Sequence, residues 1–283
     1  MIRGIPSAEP LVNEPKHILL TNDDGIHSPG LWAAASALAA LGLVTVAAPL
    51  AQSTAAGRSM PAHSEGRIHA ETLKINGRDW QAYGIEGTPA QVVQHAVLEL
   101  MPRRPALVVS GINYGENVGS GVTISGTVGA ALEAASFQLP ALAVSLETDK
   151  QYHQTHSAAV DFSAAAFFTH KFARLLLAMR FPADVDVFKV EVPGAATPET
   201  AWRLTRLSRA RYYEPLKPRR ENLSDKANID YRRAVELDQV EPDSDIRSLL
   251  DQVVSVTPLS LDMTARVDFK EMSRLLEQTA TRE

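Results

Sequence analysis

Apolar residues fall in short blocks that end on polar or glycine-rich turns, and the blocks switch between two periods. Residues 17–22 (HILLTN) form a brief apolar run bounded by turn residues, the pattern of a buried strand. Ser28 followed by Pro29 offers a helix N-cap and a first helical residue whose φ is already fixed, so a helix is expected from there to Leu41. Gly42 interrupts it, and residues 43–48 (LVTVAA), short and β-branched, read as a second strand. The alternation continues with a helix from near Thr88 to Leu100, a strand over 106–111, a helix over 125–137 and a strand over 141–147. A long Ala/Phe-rich helix from about Ser157 to Met179 then leads into a strand over 186–193. Repeated strand–helix alternation predicts an α/β protein: an open, mostly parallel sheet with helices on both faces.

Past Trp202 the texture changes. WRLTRLSRARYYEPLKPRR mixes strand-like pieces with Arg, Tyr and Pro, residues 252–263 form another strand interrupted by Pro258, and 268–283 read as an amphipathic helix. The expected organisation is a loose N-terminal extension over 1–15, broken by Pro6, Pro10 and Pro15, followed by one domain over 16–283. Within it an α/β core runs to about residue 200, and an irregular C-terminal arm of β-hairpin and helix covers about 202–283. The arm carries exposed-looking aromatics at Tyr212 and Tyr213, and Met272, Leu275 and Leu276 at helical spacing. It has too little apolar material for a core of its own, so it must lie on the core or on another subunit.

Composition narrows the function. In 283 residues, 45% hydrophobic and 22% charged, there is ample material for a core, and a net charge of −5 points to neither nucleic acid nor an anionic membrane. The absence of cysteine excludes disulfides, thiolate zinc sites and a cysteine nucleophile, and it fits a reducing compartment, so a cytoplasmic location is expected. Residues 31–51 are uncharged over a length that can cross a bilayer, yet they are mostly alanine and divided at Gly42. A buried helix followed by a buried strand accounts for them, and no membrane is expected as partner. The basic cluster Arg209, Arg211, Lys217, Arg219, Arg220, Lys226, Arg232 and Arg233 is diluted by Glu214, Glu221, Asp225 and Asp230. It reads as a solvated arm rather than a nucleic-acid face.

The chemistry-bearing residues lie at strand ends. In an open parallel sheet ligands bind beyond the carboxyl ends of the strands, and Asn22, Asp23 and Asp24 stand at such an end. The stretch after ALVVS holds six of the chain's 16 glycines (Gly111, Gly115, Gly119, Gly121, Gly126 and Gly129), a density that suggests unusual backbone or close approach to a ligand. The helix that follows opens with Ser125, Gly126 and Thr127, whose hydroxyls and free backbone N–H groups suit an anion. Two carboxylates with amide and hydroxyl oxygens make a hard-oxygen cluster suited to Mg²⁺, Mn²⁺ or Ca²⁺. A divalent cation would relieve the repulsion between Asp23 and Asp24.

Four blocks, ILLTNDDGIHSPG, SGINYGENVG, SGTVGAALEA and PALAVSLE, in this order and spacing, resemble the SurE family of survival-protein nucleotidases, over about residues 16 to 265. The resemblance implies a Rossmann-like core and a metal-dependent phosphomonoesterase acting on nucleoside 5′- and 3′-monophosphates. It also implies a C-terminal arm used in dimer or tetramer assembly. Carried over by position, the metal ligands are Asp23, Asp24, Asn113 and a hydroxyl from AAPLAQSTAAG. That hydroxyl falls on Thr54 by its distance from Pro49, with Ser53 as the substitute. Ser125, Gly126, Thr127 and Asn113 bind the phosphate, Asp23 positions or deprotonates the attacking water, and Asn22 orients that water or holds a phosphate oxygen. One divalent ion per subunit, Mg²⁺ or Mn²⁺, is the implied cofactor. Here Leu50 replaces the family's usual aspartate, and Ala90 and Gln91 follow Gly87-Thr88-Pro89 where an acidic residue is usual. Those departures motivate an alternative reading, a nucleotide-binding or regulatory protein that keeps the fold without turnover; phosphate release separates the two.

Overall fold

The computed structural model describes residues 15–235, 238 and 240–280. The expected N-terminal extension thus lies almost wholly outside the described residues. Strands β1 (His17–Thr21), β2 (Leu43–Pro49), β5 (Leu107–Tyr114), β6 (Ala141–Leu146) and β7 (Val187–Val192) run parallel at the centre of one sheet. The hairpin β3 (Ile68–Ile75) and β4 (Arg78–Ile85) extends one side, and β11 (Val254–Leu259) and β8 (Trp202–Leu204) extend the other. The full order is β3-β4-β2-β1-β5-β6-β7-β11-β8, with β3 and β11 antiparallel to their inner neighbours. The chain leaves β1 toward β2 on one side and returns to β5 on the other, so the topological switch lies between β1 and β5.

Neighbouring side chains on a strand point to opposite faces, and both faces here are covered. Ile18 and Leu20 meet α1 (Pro29–Leu38) and α4 (Ser163–Ala178), through Leu31, Trp32, Phe168 and Phe172. Leu19 faces the other way, into Val92, Val93, Val128 and Ala131 of α2 (Pro89–His95) and α3 (Gly126–Ser136). This is the α/β architecture expected, with three differences. The β3–β4 hairpin joins the sheet where no strands were expected; Asn76 and Gly77 both take positive φ at its turn, the conformation a tight hairpin needs. Helix α4 begins at Ser163 rather than Ser157, and the released residues pack on the end of β5, where the Ser157 carbonyl accepts from the Tyr114 hydroxyl and Phe162 meets the Tyr114 ring.

The third difference concerns the division near residue 200. Strands β8 and β11 lie beyond it yet complete the main sheet, while the two-stranded ribbon of β9 (Tyr213–Leu216) and β10 (Asp230–Arg233) stands apart. A small apolar cluster of Val118, Tyr212, Val240, Ile246 and Leu249 joins the ribbon's root to α5 (Asp245–Leu250). Tyr212 is buried there and Tyr213 half-buried, so neither is the exposed aromatic the sequence suggests. Helix α6 (Phe269–Ala280) is exposed along its whole described length. Among the described residues no helix is long and apolar enough to cross a membrane; residues 31–51 are helix α1 followed by strand β2.

Candidate active site

At the end of β1 the chain turns sharply. The Asn22 side chain closes that turn, accepting from the Gly25 N–H through Oδ1 and donating to the Gly25 carbonyl through Nδ2, each at 3.1 Å. One N–H and one lone pair of its amide are thereby engaged in the turn, and Asn22 does not line the cavity. The turn presents Asp23 and Asp24 at the switch point. Asp23 reaches α3, where its Oδ1 accepts from the Thr127 hydroxyl at 2.5 Å. Asp24 reaches β5 and the 50s loop, accepting from the Tyr114 N–H at 3.1 Å and the Gln52 amide at 3.0 Å.

A cavity of about 680 Å³ opens over this pair, and Thr54, Asn113 and Ser125 also line it. A bulge between Ser110 and Asn113 shifts the β5–β6 register where Asn113 enters the wall, a common device beside functional sites. Asn113 Nδ2 donates to the Gly115 and Tyr114 carbonyls at 2.7 and 3.2 Å, which leaves Oδ1 as the oxygen a cation or donor takes. Ser53 does not line this cavity; its hydroxyl lies 3.5 Å from the Ala51 carbonyl and it borders a neighbouring cleft. Ser125 caps α3 by accepting from the Val128 N–H. A Cβ on Gly126 would stand 2.7 Å from both Cβ and Oδ2 of Asp23, so only glycine fits.

The electrostatics of the pair are unusual for carboxylates. Burial pushes the Asp23 carboxyl up to about 6, against the pull of the Thr127 hydroxyl and of backbone N–H groups, those of Gly126 and Thr127 included. Asp24 is raised well above the ordinary range by burial and then by the charge of Asp23. Among the described residues no Lys or Arg is ion-paired with either. Nor do three or more His, Asp or Glu side chains gather as ligands there. The donor set is two carboxylates and neutral oxygens, which fits a hard divalent ion that keeps water in its shell and does not fit a soft one.

The far wall comes from residues to which the sequence assigned no part in the site. Glu116 accepts from the Tyr213 hydroxyl at 2.6 Å and from Arg233 at 2.8 Å. His153 lies 3.0 Å from the Tyr231 hydroxyl, and Lys150 bonds Asp230 and the Tyr231 carbonyl. The β9–β10 ribbon is thus fastened over the cavity, so part of the basic cluster serves as tethers. Only the adjacency of GENVG to the motif hinted at Glu116; the others converge from positions far apart in the chain. His27 is exposed, 3.8 Å from Glu71, and does not line the cavity.

Fold and site together define a doubly wound α/β protein with an acidic, cation-ready pocket at its switch point, facing a helix N-terminus suited to an anion. Residues 18–214 match the family described as survival protein SurE. A protein called 5′-nucleotidase SurE from Thermococcus kodakarensis is 42% identical over 262 residues, covering 92% of this chain and 98% of that one. Its counterpart from Thermococcus gammatolerans is 43% identical over 261 residues, covering 92% and 95%. The crystal structure of SurE protein from Aquifex aeolicus superposes with a TM-score of 0.71 at 28% identity, covering 93% of this chain and 99% of that one. This chain belongs to the SurE family.

Proposed function

We propose that the chain is a phosphoric monoester hydrolase of the 5′-nucleotidase type, acting on nucleoside 5′-monophosphates and, as a second class, 3′-monophosphates. The observation that carries this reading is the meeting of two buried adjacent carboxylates with the N-terminus of α3 in one cavity roomy enough for a nucleotide. Asp23, Asp24, Thr54 and Asn113 would hold one divalent ion, Mg²⁺ or Mn²⁺. When bound, such an ion neutralises phosphate charge and makes water a better nucleophile at neutral pH. The chain's own groups do the rest. Ser125 lines the cavity, while the Gly126 and Thr127 donors do not and are bonded to Asp23. As phosphate-binding groups, Gly126 and Thr127 would turn from Asp23 to the phosphate oxygens as charge develops there. Asp23 takes the proton of the attacking water as its oxygen joins phosphorus and passes it to the nucleoside oxygen that leaves as the ester P–O bond breaks, releasing nucleoside and phosphate. The exposed α6 supports assembly as a dimer or dimer of dimers, and the lack of cysteine supports a cytoplasmic setting.

The test is a panel of 5′- and 3′-nucleotides, sugar phosphates and p-nitrophenyl phosphate, each with Mg²⁺, Mn²⁺ or Ca²⁺. Nucleoside monophosphates are expected to show the highest kcat/KM, and no phosphate release from any of them would overturn the reading. Thr54→Ala is expected to raise the metal concentration needed for half-maximal rate by more than Ser53→Ala does, because Thr54 alone lines the cavity; the reverse ranking assigns the hydroxyl to Ser53. Gly126→Ala should lower kcat/KM by about 10²-fold, since displacements near 1 Å cost that much in a positioned site, while a circular-dichroism melt shows the variant folded. A rate within twofold of wild type would remove the close approach to Asp23 from the mechanism.

A further inference from the structure

Strand β7 carries Lys189 and Glu191, two charged side chains buried to 0% exposure at the middle of a sheet. Lys189 Nζ lies 3.1 Å from Glu191 Oε1 and 3.1 Å from Oδ2 of Asp245, itself fully buried at the start of α5. Three buried charges cost a great deal to desolvate and are retained only where every lone pair is used. The lone pairs here are used on backbone. Glu191 Oε2 accepts from the Asn117 N–H and Asp245 Oδ2 from the Gly119 N–H, both at 3.0 Å. Asp245 Oδ1 accepts from the Ser208 N–H at 2.9 Å, at the root of the ribbon. Burial alone pulls the Lys189 ammonium down, and the charges of Glu191 and Asp245 more than reverse this, so it stays charged.

Asn117 and Val118 line the cavity on the loop that runs from Asn113 to Ser125, and residue 119 follows them directly. The metal and phosphate end is anchored separately, by the Gly115 N–H on the Leu146 carbonyl and by Thr127 on Asp23. We propose that Lys189, Glu191 and Asp245 are positioning residues that set the 117–119 loop, and with it the part of the cavity that receives the nucleoside, without acting on the phosphate. The inference rests on the nucleotidase reading. It also explains why the ribbon's root and the loop share one buried ion cluster: the two halves of the distal wall are fixed from a single point.

The test compares kcat and KM for a nucleoside 5′-monophosphate and for p-nitrophenyl phosphate, in full-length wild type, Lys189→Met and Glu191→Gln, at a temperature where each is folded. Removal of the anchor is expected to raise KM for the nucleotide about tenfold with kcat within threefold. The p-nitrophenyl phosphate values should stay within twofold, and hydrogen exchange should quicken at the 117–119 amides. Equal losses on both substrates, or an unchanged nucleotide KM alongside faster exchange, overturn the positioning role. Should Lys189→Met not fold, Glu191→Gln, which removes one acceptor oxygen and keeps the lysine paired with Asp245, decides the matter alone. A wild type that releases no phosphate from the nucleotide fails the nucleotidase reading itself, an outcome distinct from either result with the variants.

Discussion

Asp23→Asn is expected to abolish turnover while making the metal-free protein more stable. The side chain stands at a strand end, so its loss removes chemistry and little packing; a fall on the order of 10⁴-fold in kcat is the scale for a group that acts at the reacting atoms. The stability gain follows from burial. A folded-state pKa of about 6 against 3.8 for an ordinary aspartate means that ionising Asp23 at neutral pH costs the fold roughly 3 kcal/mol. Asparagine escapes that cost and still accepts from the Thr127 hydroxyl, although a neutral acceptor makes a weaker bond. A net gain of about 1–2 kcal/mol, a few degrees in Tm, remains. The sign with pH is fixed. The raised carboxyl binds its proton more tightly in the folded chain, so its contribution is full below pH 4 and is lost as pH rises through about 6. In chelator, the Tm difference between variant and wild type should be near zero at pH 4 and grow to a plateau above pH 7. A variant that melts below wild type at pH 8 would show that the carboxylate supports the fold rather than straining it.

Deleting residues 268–283 is expected to give smaller, less stable species than the intact chain. Helix α6 holds Phe269 at 66%, Met272 at 39%, Leu275 at 48% and Leu276 at 65% exposure on one amphipathic helix, and every described residue in it is exposed. A lone helix of this length is marginal in water, and helices persist in proteins by burying an apolar face. Among the described residues none buries these four apolar side chains, so a second copy of the chain is the proposed cover, and self-complementary patches close most often as two-fold dimers. Light scattering should give a dimer or a dimer of dimers for the intact chain at micromolar concentration and a smaller mass after deletion. A monomeric intact chain contradicts this. Leu276→Glu, a point change at an exposed position, should weaken the assembly in the same direction without disturbing the core.

The parallel core was legible because its strands are covered on both faces and read as continuous apolar runs. The β3–β4 hairpin was passed over although Asn76-Gly77 marks its turn, because an outer hairpin with one wet face has a diluted apolar signal. Lys189 and Glu191 mislead for the opposite reason. In VFKVEV they look like the solvent side of an alternating strand, and only the later return of α5 and β11 buries them. Asp23, Asp24, Thr54, Asn113 and Ser125 were visible as motif residues at strand ends and in the loops that follow. Glu116, His153 and Tyr231 were not, and Tyr213 was read only as an exposed aromatic of the arm, since what unites them is a cavity wall closed by the ribbon. Asn22 sits inside the motif, and what its sequence position does not tell is that its amide bonds the turn that presents its neighbours.

The central claim is that the Asp23–Asp24 site hydrolyses nucleoside monophosphates with a divalent ion. It is tested most directly by inorganic phosphate released from a nucleoside 5′-monophosphate as Mn²⁺ is titrated into the chelator-treated protein, with Asp24→Asn run in parallel. The account predicts no release in chelator, a saturable rise with Mn²⁺ in the wild type, and at least a 10²-fold lower rate in Asp24→Asn at every concentration, the scale of losing a group that stabilises transition-state charge. Release that persists in chelator, or an Asp24→Asn curve that overlays the wild type, would contradict it.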